Sequence, residues 1–162
     1  MKRRAFLSSG VATGLAVAAI SGVAANGQNQ RPPESRAKVI EEVSTTRAPK
    51  PVGPFSQAVK ANGFVFVAGQ VARDPKTDQV IDGDITAQTE RIMENIKAIL
   101  EAAGSSLDRT VKTTVFLQDM NDFDAMGKVY ARYFPTPQPA RSAVQVVRLH
   151  GGRIEIELVA VA

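Results

Sequence analysis

The 162-residue chain has no cysteine and one histidine. The first absence excludes a disulfide, a thiolate nucleophile and any cysteine metal site. The second excludes a two-histidine metal centre. It leaves His150, beside Gly151-Gly152, as one awkward partner for a Ser-His pair, with Ser56 and Ser142 lacking a plausible His-Asp relay. A solvent-exposed turn histidine is the plainer reading. No glycine-rich loop joins a strand to a helix at the spacing a phosphate cradle needs, because Gly10, Gly14 and Gly22 all fall near the N-terminus. Also missing is a run of about 18 clearly apolar residues, the minimum for a membrane-spanning helix.

What the N-terminus does hold is Lys2-Arg3-Arg4-Ala5-Phe6-Leu7, then a weakly hydrophobic stretch, Val11 to Ala25, rich in alanine, glycine and serine. A charged start, a short apolar region and small residues at Gly22, Ala24 and Ala25 predict a secretory signal peptide over residues 1–25. The paired arginines look like a twin-arginine signal, which exports a protein already folded and predicts a periplasmic location. An uncleaved membrane anchor is the alternative. Removal of residues 1–25 takes away Lys2, Arg3 and Arg4 and no acid, so the formal charge falls from +4 to +1. A near-neutral mature chain has no strong electrostatic pull on nucleic acid or anionic membrane. Residues 26–42, polar and carrying Pro32-Pro33, read as a disordered linker. Residues 43–162 then form one domain, long enough for a single core.

Within that domain, Asn62-Gly63 predicts a tight hairpin turn between Ala58–Ala61 and Phe64–Ala68. Val80-Ile81 is a candidate short edge strand. From Ile85 to Ala103 the apolar period changes to threes and fours: Ile85, Thr89, Ile92, Ile96, Ile99 and Ala103 make one helical stripe, with Asp82 or Asp84 as cap and Gly104 after its end. Val111–Leu117 is strand-like by its β-branched content, and Asp122 is placed to cap a second helix over Phe123–Tyr133. Pro135, Pro137 and Pro139 break regular structure up to Arg141, and strands follow at Ala143–Arg148 and Ile154–Ala162. The expectation is an α+β domain: a six-stranded mixed sheet with two helices on one face. Too few polar residues alternate in the Phe64, Ala143 and Ile154 strands to leave the other face wet, so subunit association is expected to cover it.

Charges near these apolar strands draw attention to a site. Arg141 stands at the entry to one strand, and Glu155 and Glu157 lie within another, two apart and therefore on one face. Buried charges are costly without partners. A guanidinium fork pairs with both oxygens of a carboxylate, so Arg141 suits either a small acid ligand or a salt bridge to Glu155 or Glu157. Paired carboxylates can divide acid and base work.

Four segments in order, Gly53-Pro54-Phe55-Ser56-Gln57-Ala58-Val59, Phe66-Val67-Ala68-Gly69-Gln70, Asn95-Ile96-Lys97-Ala98-Ile99-Leu100 and Pro139-Ala140-Arg141-Ser142, resemble the Rid family (RidA, YjgF-type or L-PSP proteins) over about Val43 to Ala162. The resemblance implies a homotrimer of chorismate-mutase-like fold with clefts between subunits, hydrolysing 2-imino acids and enamines with no cofactor and no metal. It implies that Arg141 holds the substrate carboxylate and Glu155 positions the attacking water, with Glu157 structural. Gly69 and Ala143 match positions whose backbone lines the cleft. Where the family usually has Tyr, Ser and Asn, this chain has Phe55, Ala68 and Gly127, so the pocket is expected to be more apolar, with either an altered substrate preference or weak turnover. An arginine beside Glu155 would lower its pKa. Two alternatives stay open: a binder of small carboxylates without turnover, and the ribonuclease or translation-inhibitor activity that the L-PSP label implies for some relatives.

Overall fold

Strand alternation and one amphipathic helix build the domain. The structure, a computed structural model, describes residues 40–162; the expected signal segment and nearly all of the expected linker lie outside the described residues. Six strands run as β1 (Glu41–Val43), β2 (Ala58–Ala61), β3 (Phe64–Val71), β4 (Thr110–Leu117), β5 (Ala140–Gln145) and β6 (Ile154–Val161). Their order across the sheet is β1-β2-β3-β6-β4-β5. All neighbours are antiparallel except β4 and β5, which are parallel and make the sheet mixed. The Asn62-Gly63 turn joins β2 to β3, with positive φ at both residues (52° and 81°) as a two-residue hairpin requires.

Helices α1 (Ile85–Ala102) and α2 (Phe123–Tyr130) both cover one face. Ile92, Met93, Ile96, Ile99 and Leu100 of α1 are fully buried against Val65, Val115, Leu117, Ile154 and Ile156 of the sheet. Asp84 caps α1, its side chain accepting from the Ala87 amide at 2.9 Å. Arg132 pairs with Glu90, and the Tyr133 hydroxyl donates to Glu94 at 3.1 Å, tying the end of α2 to α1. No helix among the described residues is long and apolar enough to cross a membrane.

Four expectations change. The sixth strand is β1, which takes in Glu41 and Glu42 from the expected linker, whereas Val80 forms only an isolated bridge to Arg73. Strand β5 starts at Ala140, so Arg141 lies within it rather than before it; the prolines end at Pro139 and the β4 backbone supplies a parallel partner at once. Asp122 caps nothing with its side chain, because its carboxylate is held by Arg153 at 2.9 and 3.0 Å. Helix α2 closes at Tyr130, three residues early.

The other sheet face is bare in the single chain. Phe64, Phe66, Val144 and Val161 remain 39–44% exposed, with Lys112, Thr114, Ser142 and Glu157 on the same face between them, and exposed apolar side chains grouped on one face mark an association site.

Candidate functional site

The cavity of interest lies where β3 is bulged. Pairing between β3 and β6 shifts register between Val67 and Gln70, so Ala68 and Gly69 occupy a β-bulge, a distortion common beside active sites. The Glu155 carboxylate of β6 lies directly on Gly69. A Cβ built there would sit 2.8 Å from Glu155 Cδ, and the position has no positive φ, so space rather than backbone torsion requires glycine.

Around this contact is a cavity of about 270 Å³, lined by Pro49, Val52, Phe55, Gly69, His150 and Glu155 among others. That is just below the range of drug-sized ligand sites, about 300–1,000 Å³, and suits a small acid. Phe55, which lines it, is half exposed to solvent and packs near Gly53, where an added Cβ would lie 3.4 Å from the ring.

Two residues that sequence reasoning passed over hold the cavity wall. Buried Gln57 accepts from the Thr45 amide at 2.7 Å and donates to the carbonyls of Thr45, Ala48 and Pro49 at 3.0, 3.2 and 2.7 Å, fastening the segment that forms one side. Buried Asn95 donates from α1 to the Arg73 carbonyl at 2.8 Å on another side. Both lie inside the four segments that carry the family resemblance; the usable signal was an amide side chain within an otherwise apolar run.

Arg141 is elsewhere. On β5 it is paired with Thr113, and its guanidinium lies over the rings of Phe123 and Tyr130 at 5.2 and 4.8 Å from their centroids. Such stacking contributes about 0.5–2 kcal/mol and holds the fork in place. The Tyr130 hydroxyl is itself fixed by Thr113 Oγ1 at 2.7 Å. Gly127 falls between the two rings on the same helical stripe, at i+4 and i−3, and a Cβ there would meet open space. Ala143 shares this side of β5, partly buried against the core.

The expected site residues therefore divide into two groups. Phe55, Gly69 and Glu155 share the cavity, with Ala68 beside it in the bulge. Arg141, Gly127 and Ala143 belong to the helix-covered side. Arg141 and Glu155 are separated by β4 and point from opposite faces of the sheet, since Ile154 and Ile156 flank Glu155 and enter the core. Within one chain they cannot grip one ligand.

The electrostatics follow. Burial pushes the Glu155 carboxyl above its ordinary range, and the Glu157 charge adds to the rise, while His150 pulls it back. The lowering expected from a neighbouring arginine is absent in the protomer because Arg141 is on the far face. Arg141 makes no ion pair among the described residues, nor does Glu155.

The described domain is thus a bulged mixed sheet under two helices, with an acid seated on glycine at a cavity and a separately stacked guanidinium. The sequence profile of the Endoribonuclease L-PSP family matches residues 45–162. A RutC family protein of Pyrococcus horikoshii is 56% identical over 121 residues, covering 74% of this chain and 96% of that protein. The 2-iminobutanoate/2-iminopropanoate deaminase of Mus musculus is 43% identical over 120 residues, covering 74% and 89%. The crystal structure of E. coli TdcF with bound serine superposes with a TM-score of 0.71 at 39% identity, covering 75% and 98%. The chain belongs to the L-PSP family, the group also known as YjgF or Rid.

Proposed function

We propose that this protein hydrolyses reactive 2-imino acids and enamines of the 2-iminobutanoate and 2-iminopropanoate type, releasing ammonia and a 2-keto acid. The observation that carries the reading is the division of the site. Glu155 waits in a small cavity without a cation at ion-pair distance, and Arg141 is held ready on an aromatic platform without an anion. Copies of the chain that bury the bare sheet face can bring Arg141 of one to Glu155 of another. A homotrimer does this three times by symmetry.

In the composite site, Arg141 takes both carboxylate oxygens of the imino acid and fixes C2. Glu155 orients a water against C2 and accepts its proton. Imines hydrolyse readily, so positioning supplies most of the acceleration needed. The mouse deaminase is named for this chemistry, and TdcF binds serine, a small carboxylate with nitrogen on its second carbon. Phe55, Ala68 and Gly127 offer no hydroxyl or amide to a ligand, which favours substrates with apolar side chains. The same lack favours a second reading, capture of a small acid without turnover. The family's description also names an endoribonuclease; the low charge expected of the chain without residues 1–25 argues against it. The N-terminal pattern supports export through the twin-arginine route.

The test generates the imine in place with an amino-acid oxidase and follows ammonia or keto acid. Wild type is expected to exceed Arg141→Ala clearly, both proteins being folded. Equal rates reject the catalytic reading, and ligand-dependent thermal stabilisation without product selects the binder.

A pH-dependent result is also expected. With Arg141→Ala in every copy, only His150 still opposes the rise of the Glu155 pKa. A carboxyl that titrates higher folded than unfolded binds an extra proton in the native state, so stability falls as pH climbs from about 4.3 through the folded pKa. On that background, adding Glu155→Gln raises Tm at pH 7, and the difference closes below about pH 4, where both states are protonated. Thermal melts at the two pH values check it; a lower Tm for the double variant at pH 7 contradicts the buried-charge account.

A further inference from the structure

His150 lines the Glu155 cavity, although nothing in the reaction as described above uses it. Its loop is firmly built. Gly152 has φ +75°, and a Cβ there would sit 2.7 Å from Gln88 Oε1, the same atom that accepts from the Arg153 amide at 2.8 Å. Val80 closes on Gly151, and Arg153 is forked onto Asp122. The chain just after His150 is thus anchored to packed elements, which places the imidazole at the cavity.

Hydrolysis needs more than an activated water. The imine nitrogen must gain protons before it can leave as ammonia, and at neutral pH a carboxylate that has to be ionised to receive water's proton cannot also supply the first one. The other charges facing the cavity are Lys50 from the loop before β2, Arg73 after β3 and Glu155 on β6, with Glu157 next along the Glu155 face and Arg148 on the histidine's own loop. Ammonium and guanidinium groups ordinarily keep their protons far above neutral pH. Arg73 is moreover occupied, donating to the Asp78 carbonyl at 2.6 Å and pairing with its carboxylate at 3.7 Å. Imidazole is the side chain that ordinarily exchanges a proton between pH 5 and 8.

We propose that His150 is a catalytic residue of this chain, the general acid that protonates the imine nitrogen while Glu155 receives the proton of the attacking water. The inference rests on the deaminase reading. The cycle balances. Imidazolium gives a proton to nitrogen as water oxygen bonds to C2 and water's proton passes to Glu155, forming the neutral carbinolamine. Glu155 then returns its proton to nitrogen, the C–N bond breaks with its electron pair leaving on ammonia, and the hydroxyl proton goes to His150 as the C=O bond forms. Both groups end as they began. His150 and Glu155 line the same cavity, and the histidine's charge opposes the rise that burial gives the Glu155 pKa.

The test is the pH profile of kcat/KM on the full chain with imine generated in place, normalised to uncatalysed imine decay at each pH. Wild type is expected to lose rate as pH rises and the general acid gives up its proton. His150→Gln is expected to lower kcat about 10²-fold with KM little changed and to flatten that limb. His150→Ala should recover part of the rate with added imidazole, which a purely structural role would not allow. His150→Gln with wild-type kcat and an unchanged profile overturns the proposal while the deaminase reading stands. A wild type no faster than Arg141→Ala overturns both.

Discussion

Arg141→Ala is expected to lower kcat/KM for imine hydrolysis by about 30- to 150-fold, the equivalent of the 2–3 kcal/mol lost with a charge-assisted bidentate bond. Arg141→Lys should recover little, since an ammonium cannot reproduce the planar fork or its stacking on Phe123 and Tyr130. The sharper result concerns where the two halves come from. Arg141→Ala and Glu155→Gln chains, each nearly inactive alone, are expected to recover activity when co-assembled, because a site can take its arginine from one and its glutamate from the other. Random mixing at equal amounts gives roughly a quarter of the sites both groups. No recovery in co-expressed mixed oligomers means that the two residues do not meet across copies.

Gly69→Ala is expected to lower kcat about 10²-fold, the scale of an ångström-level misplacement of a reacting group. The new methyl would occupy the space of the Glu155 carboxylate, with Cδ only 2.8 Å from the added carbon. Glu155 must swing away, and its water with it. Because the displaced atoms are the end of a side chain at a cavity, and the backbone at Gly69 has no positive φ, Tm should shift little. Arg141 is on the other side of the sheet and keeps its hold on carboxylate, so KM should move less than kcat. A variant with wild-type kcat shows that Glu155 can work from another position.

The residues missed and the residues found differ for a physical reason. Gln57 and Asn95 do their work by bonding to carbonyls 8 to 22 positions away, a relation invisible until the chain is folded. His150 reads in one dimension as a turn histidine, and it is exposed in a turn; that its turn borders the Glu155 cavity depends on Gln88 and Val80 gripping Gly151-Gly152. The Asp122 cap failed because a long-range guanidinium outcompeted a local amide. Strand β5 began early because a parallel neighbour can extend pairing right up to a proline, which local propensity does not register.

Local patterns by themselves determined the α+β class, the helix beginning at Ile85, the Asn62-Gly63 hairpin and the identity of the charged residues. Those follow from periodicity, turn chemistry and the cost of burying charge, all properties of short stretches. Only the tertiary structure decided that Glu155 rests on Gly69, that Arg141 stacks on α2, and that strand order sets them on opposite faces. Alternation along a strand says which residues share a face with each other; which face of which neighbour they meet is settled by how the whole sheet is ordered and covered.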